Sequence, residues 1–371
     1  MNSVRALLIA EKPSLMRDIQ KVYKKMNLDV HIDFTSFVGH VVELKEPHEY
    51  NAEWKKWDLN VLPMVPQRFE FRVKKTAAKV YNDIKGLLKA NDYDFLINAC
   101  DAGMEGENIF YSFYKHVGST LPVKRFWTSQ TTEPAIRQAL EHLIDEHDPL
   151  IRNLRNAAMY RMVFDWLVGL NCTRVATLKG GRTIKVGRVM TPTLAIVAER
   201  EEEIQAFVPK PYYQIEMQLE QFRALWFRDK VNRFDTIEEA EAVLARVTDE
   251  AVVASLETER KTIPAAPLHS LLELQKEANK FYGFTSSDTL KIAQSLYEKK
   301  LITYPRTESK HLPTNFANHI TTNVRAIASV PHLQQTVDYV LQQEGHVSRV
   351  MQSKRYVDDK KLTDHHASAT R

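Results

Sequence analysis

Asp94-Phe95-Leu96-Ile97-Asn98-Ala99-Cys100-Asp101-Ala102-Gly103-Met104-Glu105-Gly106-Glu107 decides how this chain is read. Residues 94–99 predict a short strand, and an acidic, glycine-punctuated loop follows at once. Beyond it Ile109, Phe110, Phe113, Tyr114 and Val117 step by 1, 3, 1 and 3, the spacing of one helix face. The same order opens the chain. Val4 to Ala10 is an unbroken apolar run, Glu11-Lys12-Pro13-Ser14 interrupts it, and Leu15 to Met26 has helical character. Strands that are almost wholly apolar and alternate with helices predict an α/β domain whose parallel sheet is covered on both faces. Ligands of such sheets bind beyond the carboxyl ends of strands, where Glu11 and Asp101 stand.

Working outward, 371 residues make room for two or three domains. Hydrophobic residues at 44% and charged residues at 26% form an ordinary globular mixture and exclude disorder as a general account. No apolar run approaches the roughly 18–20 residues that span a bilayer, and Ala6 to Ala10 is too short for a signal peptide. A cytoplasmic protein with no membrane association is expected. Cys100 and Cys172 are too few for a disulfide framework or a zinc site. A net charge of +4 permits nucleic acid as a partner without requiring it. No G-x-x-x-x-G-K-[ST] run occurs, so ATP hydrolysis through a P-loop is not expected.

Composition shifts divide the chain. Residues 1–145 form the α/β domain, and 146–208 are helical and rich in arginine, punctuated by Gly180-Gly181 and Gly187. Residues 209–262 predict a small β-containing domain, with strand-like pieces at Tyr212 to Met217, Arg223 to Phe227 and Val252 to Ala254 around a helix near 237–246. Ile263-Pro264-Ala265-Ala266-Pro267 reads as a linker into a helical domain at 263–371, where Leu271, Leu274, Ala278 and Phe281 repeat at helical spacing. Gly283 ends that helix, and Ser286 or Ser287 can cap the next.

Three carboxylates, Glu11, Asp101 and Glu105, are expected at neighbouring strand ends. Each alone is an ordinary solvated acid; together they repel unless a cation offsets them, and Mg²⁺ takes oxygen ligands from one or two carboxylates with water and substrate phosphate. A second signal is Leu301-Ile302-Thr303-Tyr304-Pro305-Arg306-Thr307-Glu308-Ser309. Pro305 biases Tyr304 away from helical angles, so the tyrosine sits on extended chain with Arg306 on the same side if strand geometry continues. A phenol there can attack a phosphodiester beside a guanidinium that grips its oxygens. The third is Thr363-Asp364-His365-His366-Ala367, whose adjacent histidines read in isolation as surface residues.

Together these motifs resemble the type IA DNA topoisomerases, in the topoisomerase III branch. The resemblance also takes in Val38-Gly39-His40-Val41, Arg125-Phe126-Trp127-Thr128-Ser129, Asp165-Trp166-Leu167-Val168-Gly169 and Gly187-Arg188-Val189-Met190-Thr191-Pro192, and it runs nearly end to end. It implies an α/β Toprim domain followed by α and β subdomains that form part of the family's toroid. It implies transient, ATP-independent cleavage of one DNA strand, strand passage and religation, which relaxes negative supercoils or decatenates DNA. On this resemblance Tyr304 is the nucleophile that forms a 5′-phosphotyrosine and Arg306 stabilises charge on the scissile phosphate. Lys12 faces the phosphate, and His365 orients it. Glu11, Asp101 and Glu105 hold Mg²⁺, with Glu11 doubling as a proton-transfer group, and Arg161 and Arg188 hold single-stranded DNA. The implied partner is single-stranded or negatively supercoiled DNA, handled by a monomer, with room for a helicase companion.

The chain departs from the family pattern at named places. Gly103 stands where the usual acidic triad has a second aspartate, Met104 where arginine is usual, and Met190 where glutamine is usual. After His366 the family continues with Ala-Ile-x-Pro-Thr, whereas this chain has Ala367 and then Ser368-Ala369-Thr370-Arg371. A truncated or frame-shifted gene, or a fragment, is therefore expected. Two other readings stay open at this point: a catalytically impaired remnant that binds single-stranded DNA, and a Toprim nuclease or primase.

Overall fold

The computed structural model describes residues 4–128, 132–248, 250, 252–299, 301–317, 319–343, 345–362 and 366–369. They group into two compact units, Met1–Arg188 with Ala265–Arg371, and Val189–Pro264.

The first unit begins with β1 (Val4–Ala10), α1 (Pro13–Tyr23), β2 (Val30–Ser36), β3 (Val42–Leu44), the short α2 (Pro47–Tyr50), β4 (Phe71–Val73) and α3 (Ala78–Ala90). It continues through β5 (Phe95–Ala99), α4 (Met104–Val117), β6 (Val123–Arg125), α5 (Glu133–Glu141), β7 (Ile144–Asp145) and the long α6 (Pro149–Gly180). Five strands make one sheet in the order β2-β1-β5-β6-β7, parallel except for the β6–β7 edge.

The expected α/β architecture is present, and its burial explains the apolar strands. Leu7, Ile9 and Leu96 point into a core with Phe37, Phe110 and Phe113, while Ala6, Leu8, Ala10, Ile97 and Ala99 point into another with Ile19 and Ile136. Alternate residues thus feed opposite faces, and both faces are covered. Helix α1 starts at Pro13, earlier than the expected Leu15, because a proline loses no hydrogen bond at the first helical position. Pairing of Ala10 with Ala99 levels the carboxyl ends of β1 and β5, which sets the residues that follow them side by side.

The second unit contains α7 (Met190–Gln205), the hairpin β8 (Glu216–Gln218) and β9 (Arg223–Leu225), and α8 (Ile237–Leu244). Trp226 stacks on Phe234 at 4.6 Å, and Tyr213 bridges to Phe234. Val252 to Ala254, expected to be strand-like, form no strand; Val252 is 89% exposed, and among the described residues no strand pairs with them.

The chain returns to the first unit with α9 (Leu271–Tyr282), α10 (Ser286–Glu298), α11 (Thr314–Ala317), α12 (Ile320–Ile327), α13 (Gln334–Gln342) and α14 (His346–Gln352). Gly283 closes α9 in the left-handed region at φ 69°, which only glycine enters at no steric cost. The cap of α10 is Thr285 rather than Ser286 or Ser287, with its side chain accepting from the Asp288 N–H. Among the described residues no helix is long and apolar enough to cross a membrane.

Candidate active site

Glu11 is the first residue past β1, and Asp101 lies two residues past β5. The Asp101 N–H donates to Glu11 Oε2 at 3.3 Å, while the Glu11 carbonyl accepts from Gly39 at 3.4 Å. Lys12 closes the pair, its Nζ 3.3 Å from Glu11 Oε1 and 3.2 Å from Asp101 Oδ2. Burial and then the charge of Asp101 lift the Glu11 carboxyl above its usual range, against the pull of Lys12. Burial works against the Lys12 ammonium, but Asp101 and Glu11 outweigh it and its pKa is raised.

Tyr304 meets this cluster from the other side. Residues Thr303, Pro305, Thr307 and Ser309 are buried while Tyr304, Arg306 and Glu308 lie outward, the alternation expected of extended chain. The run bends at Arg306, where Thr307 N–H donates to the Pro305 carbonyl at 3.1 Å in a three-residue turn. Main chain pins it at both ends: Thr303 N–H donates to the Ala369 carbonyl at 2.8 Å, and Leu271 N–H to the Thr307 carbonyl at 2.9 Å. The Tyr304 ring has Lys12 Nζ 5.4 Å from its centre and the Tyr297 ring edge-on at 5.3 Å. Burial raises the phenol pKa, Lys12 and Arg306 draw it down, and Asp101 and Glu11 push it up.

Beneath the acids lies a buried guanidinium. Arg125, 1% exposed, donates through Nε to Glu107 Oε1 at 2.5 Å and through its terminal nitrogens to the carbonyls of Asn98, Cys100, Asp101 and Phe126 at 2.7–3.0 Å. Asn98 Nδ2 also donates to Glu107 Oε1 at 3.3 Å. Burial raises the Glu107 pKa against the pull of Arg125. A buried carbonyl without a donor costs about 1–3 kcal/mol, so the end of β5 depends on this side chain. Gly106 is required beside it, since a Cβ there would stand 2.1 Å from the Asp101 carbonyl oxygen.

The other sequence candidates take different places. Glu105 is exposed and binds His40 Nε2 at 2.7 Å, and that hydrogen bond, above all, lowers its pKa. With His40, Lys74, Met104, Arg161 and Asp165 it lines a cavity of about 420 Å³. Arg188 reaches Asp165 at 2.8 Å and Arg161 reaches it at 4.0 Å, so both arginines share one carboxylate. His365 lies outside the described residues.

The structure therefore brings Glu11, Lys12, Asp101 and Tyr304 together, with the charge of Arg306 felt at the phenol, and turns Glu105 toward His40. Among the described residues no three His, Cys, Asp or Glu groups converge on one ion. Glu11 and Asp101 nonetheless fit Mg²⁺, because they are hard oxygen donors and because burial and then the charge of Asp101 already lift Glu11, a cost that a cation there would offset. Sequence reasoning gave no role to His40, Asp165, Tyr297, Glu107 or Arg125. No local signal set Arg125 or Glu107 apart, since Lys124 stands beside the one and Glu105 and Asn108 flank the other.

Comparison with known proteins agrees with this geometry. A Toprim domain model matches residues 6–131 and a DNA topoisomerase model matches residues 150–369. The chain is 35% identical over 375 residues to DNA topoisomerase 3 of Bacillus subtilis, covering 98% of this chain and 50% of the relative. It is 35% identical over 371 residues to DNA topoisomerase 3 of Shouchella clausii, covering 97% and 50%. It is similar in structure to full-length topoisomerase I from Thermotoga maritima, with a TM-score of 0.60 and 26% identity over 88% of this chain and 52% of that one. The chain spans about half the length of the curated relatives it matches.

Proposed function

The chain belongs to the type IA DNA topoisomerase family, and on that premise we propose that it cleaves one DNA strand transiently through Tyr304, without ATP, passes a second strand and reseals the first. The observation that carries this reading is the Lys12 ammonium, held by Glu11 and Asp101 and set 5.4 Å from the Tyr304 ring. A phenol with an ordinary pKa of about 10 attacks phosphorus at neutral pH only where positive charge receives the developing anion. Burial leaves the phenol pKa raised, and Lys12 and Arg306 are the groups that pull against it, which supports those roles.

In the proposed step the Tyr304 Oη forms a bond to the scissile phosphorus and the bond to the 3′-oxygen breaks. The phenol gives up its proton and the departing 3′-oxygen takes one. Glu11 is suited to hold a proton in this exchange, since burial and Asp101 raise its pKa. Religation reverses the step, so the phosphodiester energy stays in the protein–DNA bond and no nucleotide is consumed. Glu11 and Asp101, with Glu105 if it leaves His40, would hold Mg²⁺, which supplies charge neutralisation at the phosphate. Arg306 grips the phosphate, His365 orients it, and Arg161 and Arg188 hold single-stranded DNA. The domain limits proposed are 1–145, 146–208, 209–262 and 263–371. We place the protein in the cytoplasm as a monomer on single-stranded or negatively supercoiled DNA, with a helicase as companion.

The test is incubation with 5′-labelled and 3′-labelled single-stranded oligonucleotides and Mg²⁺, followed by denaturant. Label retained on protein only from the 3′-labelled strand supports a 5′-phosphotyrosine. Clear non-covalent binding with no adduct overturns the reaction and leaves a binding protein.

A further inference from the structure

The most heavily bonded side chain near the site touches neither phosphate nor tyrosine. We propose that Arg125 is a positioning residue: its buried guanidinium, neutralised by Glu107, fixes the Asp101 backbone and so aims the carboxylate that holds Lys12 against Tyr304. This rests on the reading of Tyr304 as nucleophile.

Past Ala99 the strand β5 has no ladder partner. Arg125 donates to the two carbonyls that follow, Cys100 at 2.7 Å and Asp101 at 2.7 Å, and adds a second donor at 3.0 Å to the Asn98 carbonyl, which already accepts from the Phe126 N–H. A planar fork with five donors can do this from one point, and a lysine ammonium cannot. Glu107, fully buried one turn into α4, fixes the fork through Nε, and Asn98 Oδ1 accepts from the Cys100 N–H at 3.1 Å to complete the ring of bonds. Glu107 Oε2 has no hydrogen-bond partner among the described residues, so this carboxylate is committed to the clamp through one oxygen. Gly106 lets the helix side pass close to the Asp101 carbonyl, where a Cβ would stand 2.1 Å from the oxygen.

From there the chain of contact runs to the chemistry. The Asp101 N–H holds Glu11 and its carboxylate holds Lys12, whose ammonium faces the Tyr304 ring. The ion pair alone does not account for the arrangement, since a buried ion pair is commonly no more stable than apolar side chains of similar volume; what the guanidinium adds is donors to the carbonyls beyond β5 and, through them, aim.

The test compares the full-length wild type with Arg125→Lys, Glu107→Gln and the paired Arg125→Met with Glu107→Leu. It reads melting, oligonucleotide affinity, amide exchange and the rate of covalent adduct formation. The paired variant removes both charges together and is expected to stay folded. Its adduct rate should fall by about 30-fold or more while oligonucleotide affinity stays within about twofold, because a misplacement near 1 Å costs on the order of 100-fold in rate. Exchange at residues 100–104 should quicken by about tenfold while β1 amides hold, the mark of a local opening. Arg125→Lys should behave alike, and Glu107→Gln, which keeps the acceptor, should keep most of the wild-type rate. A folded paired variant with an adduct rate within about threefold of wild type overturns the proposal. If the wild type forms no adduct the proposed reaction falls, and the exchange data then judge the clamp by themselves: unchanged exchange at 100–104 in Arg125→Lys overturns it.

Discussion

The acid end and the tyrosine end of this site are held by opposite means. Asp101 rides on backbone gripped by a guanidinium that is 1% exposed, between two apolar cores that cover both faces of a five-stranded sheet. Tyr304 rides on a segment held by main-chain bonds to Ala369 and Leu271, above a small cluster of Leu312, Phe316, Val357 and Ala367. Sparse burial gives low local stability, and dense burial with a satisfied charge gives high. The proposed reaction would use this asymmetry, with charge fixed while the nucleophile, its strand attached, lifts away and returns.

The largest effect separates chemistry from binding. Tyr304→Phe should lower covalent attachment by at least ~1000-fold, since no other side chain replaces the nucleophile, and leave single-strand affinity nearly intact. An adduct that survives in labelled-oligonucleotide assays would refute the assignment. Next comes stability at the acid end. Arg125→Met alone strands a buried Glu107 carboxylate and should cost about 3–5 kcal/mol, measured by chemical denaturation. The matching change at the tyrosine end, Thr303→Val, removes the side chain that accepts from the Ala369 N–H at 3.0 Å and should cost about 1 kcal/mol. Equal costs in the two variants would erase the contrast between the ends.

The smallest effect concerns pH. Glu11 holds its proton more tightly folded than unfolded, because of burial and Asp101. Its favourable contribution is complete below the unfolded pKa and is lost as pH rises through the folded one, so at neutral pH the charged form is a cost. Glu11→Gln should therefore raise the melting midpoint at pH 7 by ~2 °C, the change expected for about 1 kcal/mol in a domain of this size. The gain should vanish by about pH 4, where the wild-type carboxyl is protonated. A gain of equal size at both pH values would show that shape rather than charge is responsible.

Local pattern made much of this legible. The apolar runs at 4–10 and 95–99 marked two central strands, and the residues just past them became two members of the site. Tyr304 was placed on extended chain by the proline after it, and the alternating burial of 303–309 agrees. The small β unit was read less well, since Val252 to Ala254 have strand-forming side chains but no neighbouring strand. At Glu105 charge and position suggested company with Glu11 and Asp101, whereas the nearer partner is His40, 65 residues earlier in the chain.

By itself the sequence determined the α/β order, the strand ends where acids gather, and the extended tyrosine flanked by proline and arginine. Those are matters of periodicity and backbone restriction, which act over a few residues. Tertiary structure alone decided that Lys12 bridges to Asp101, 89 residues away, that Glu105 turns to His40, and that Arg125 grips the carbonyls beyond β5. Such partnerships arise when packing removes water from charges and leaves each one the nearest group able to satisfy it, a choice that no local pattern records.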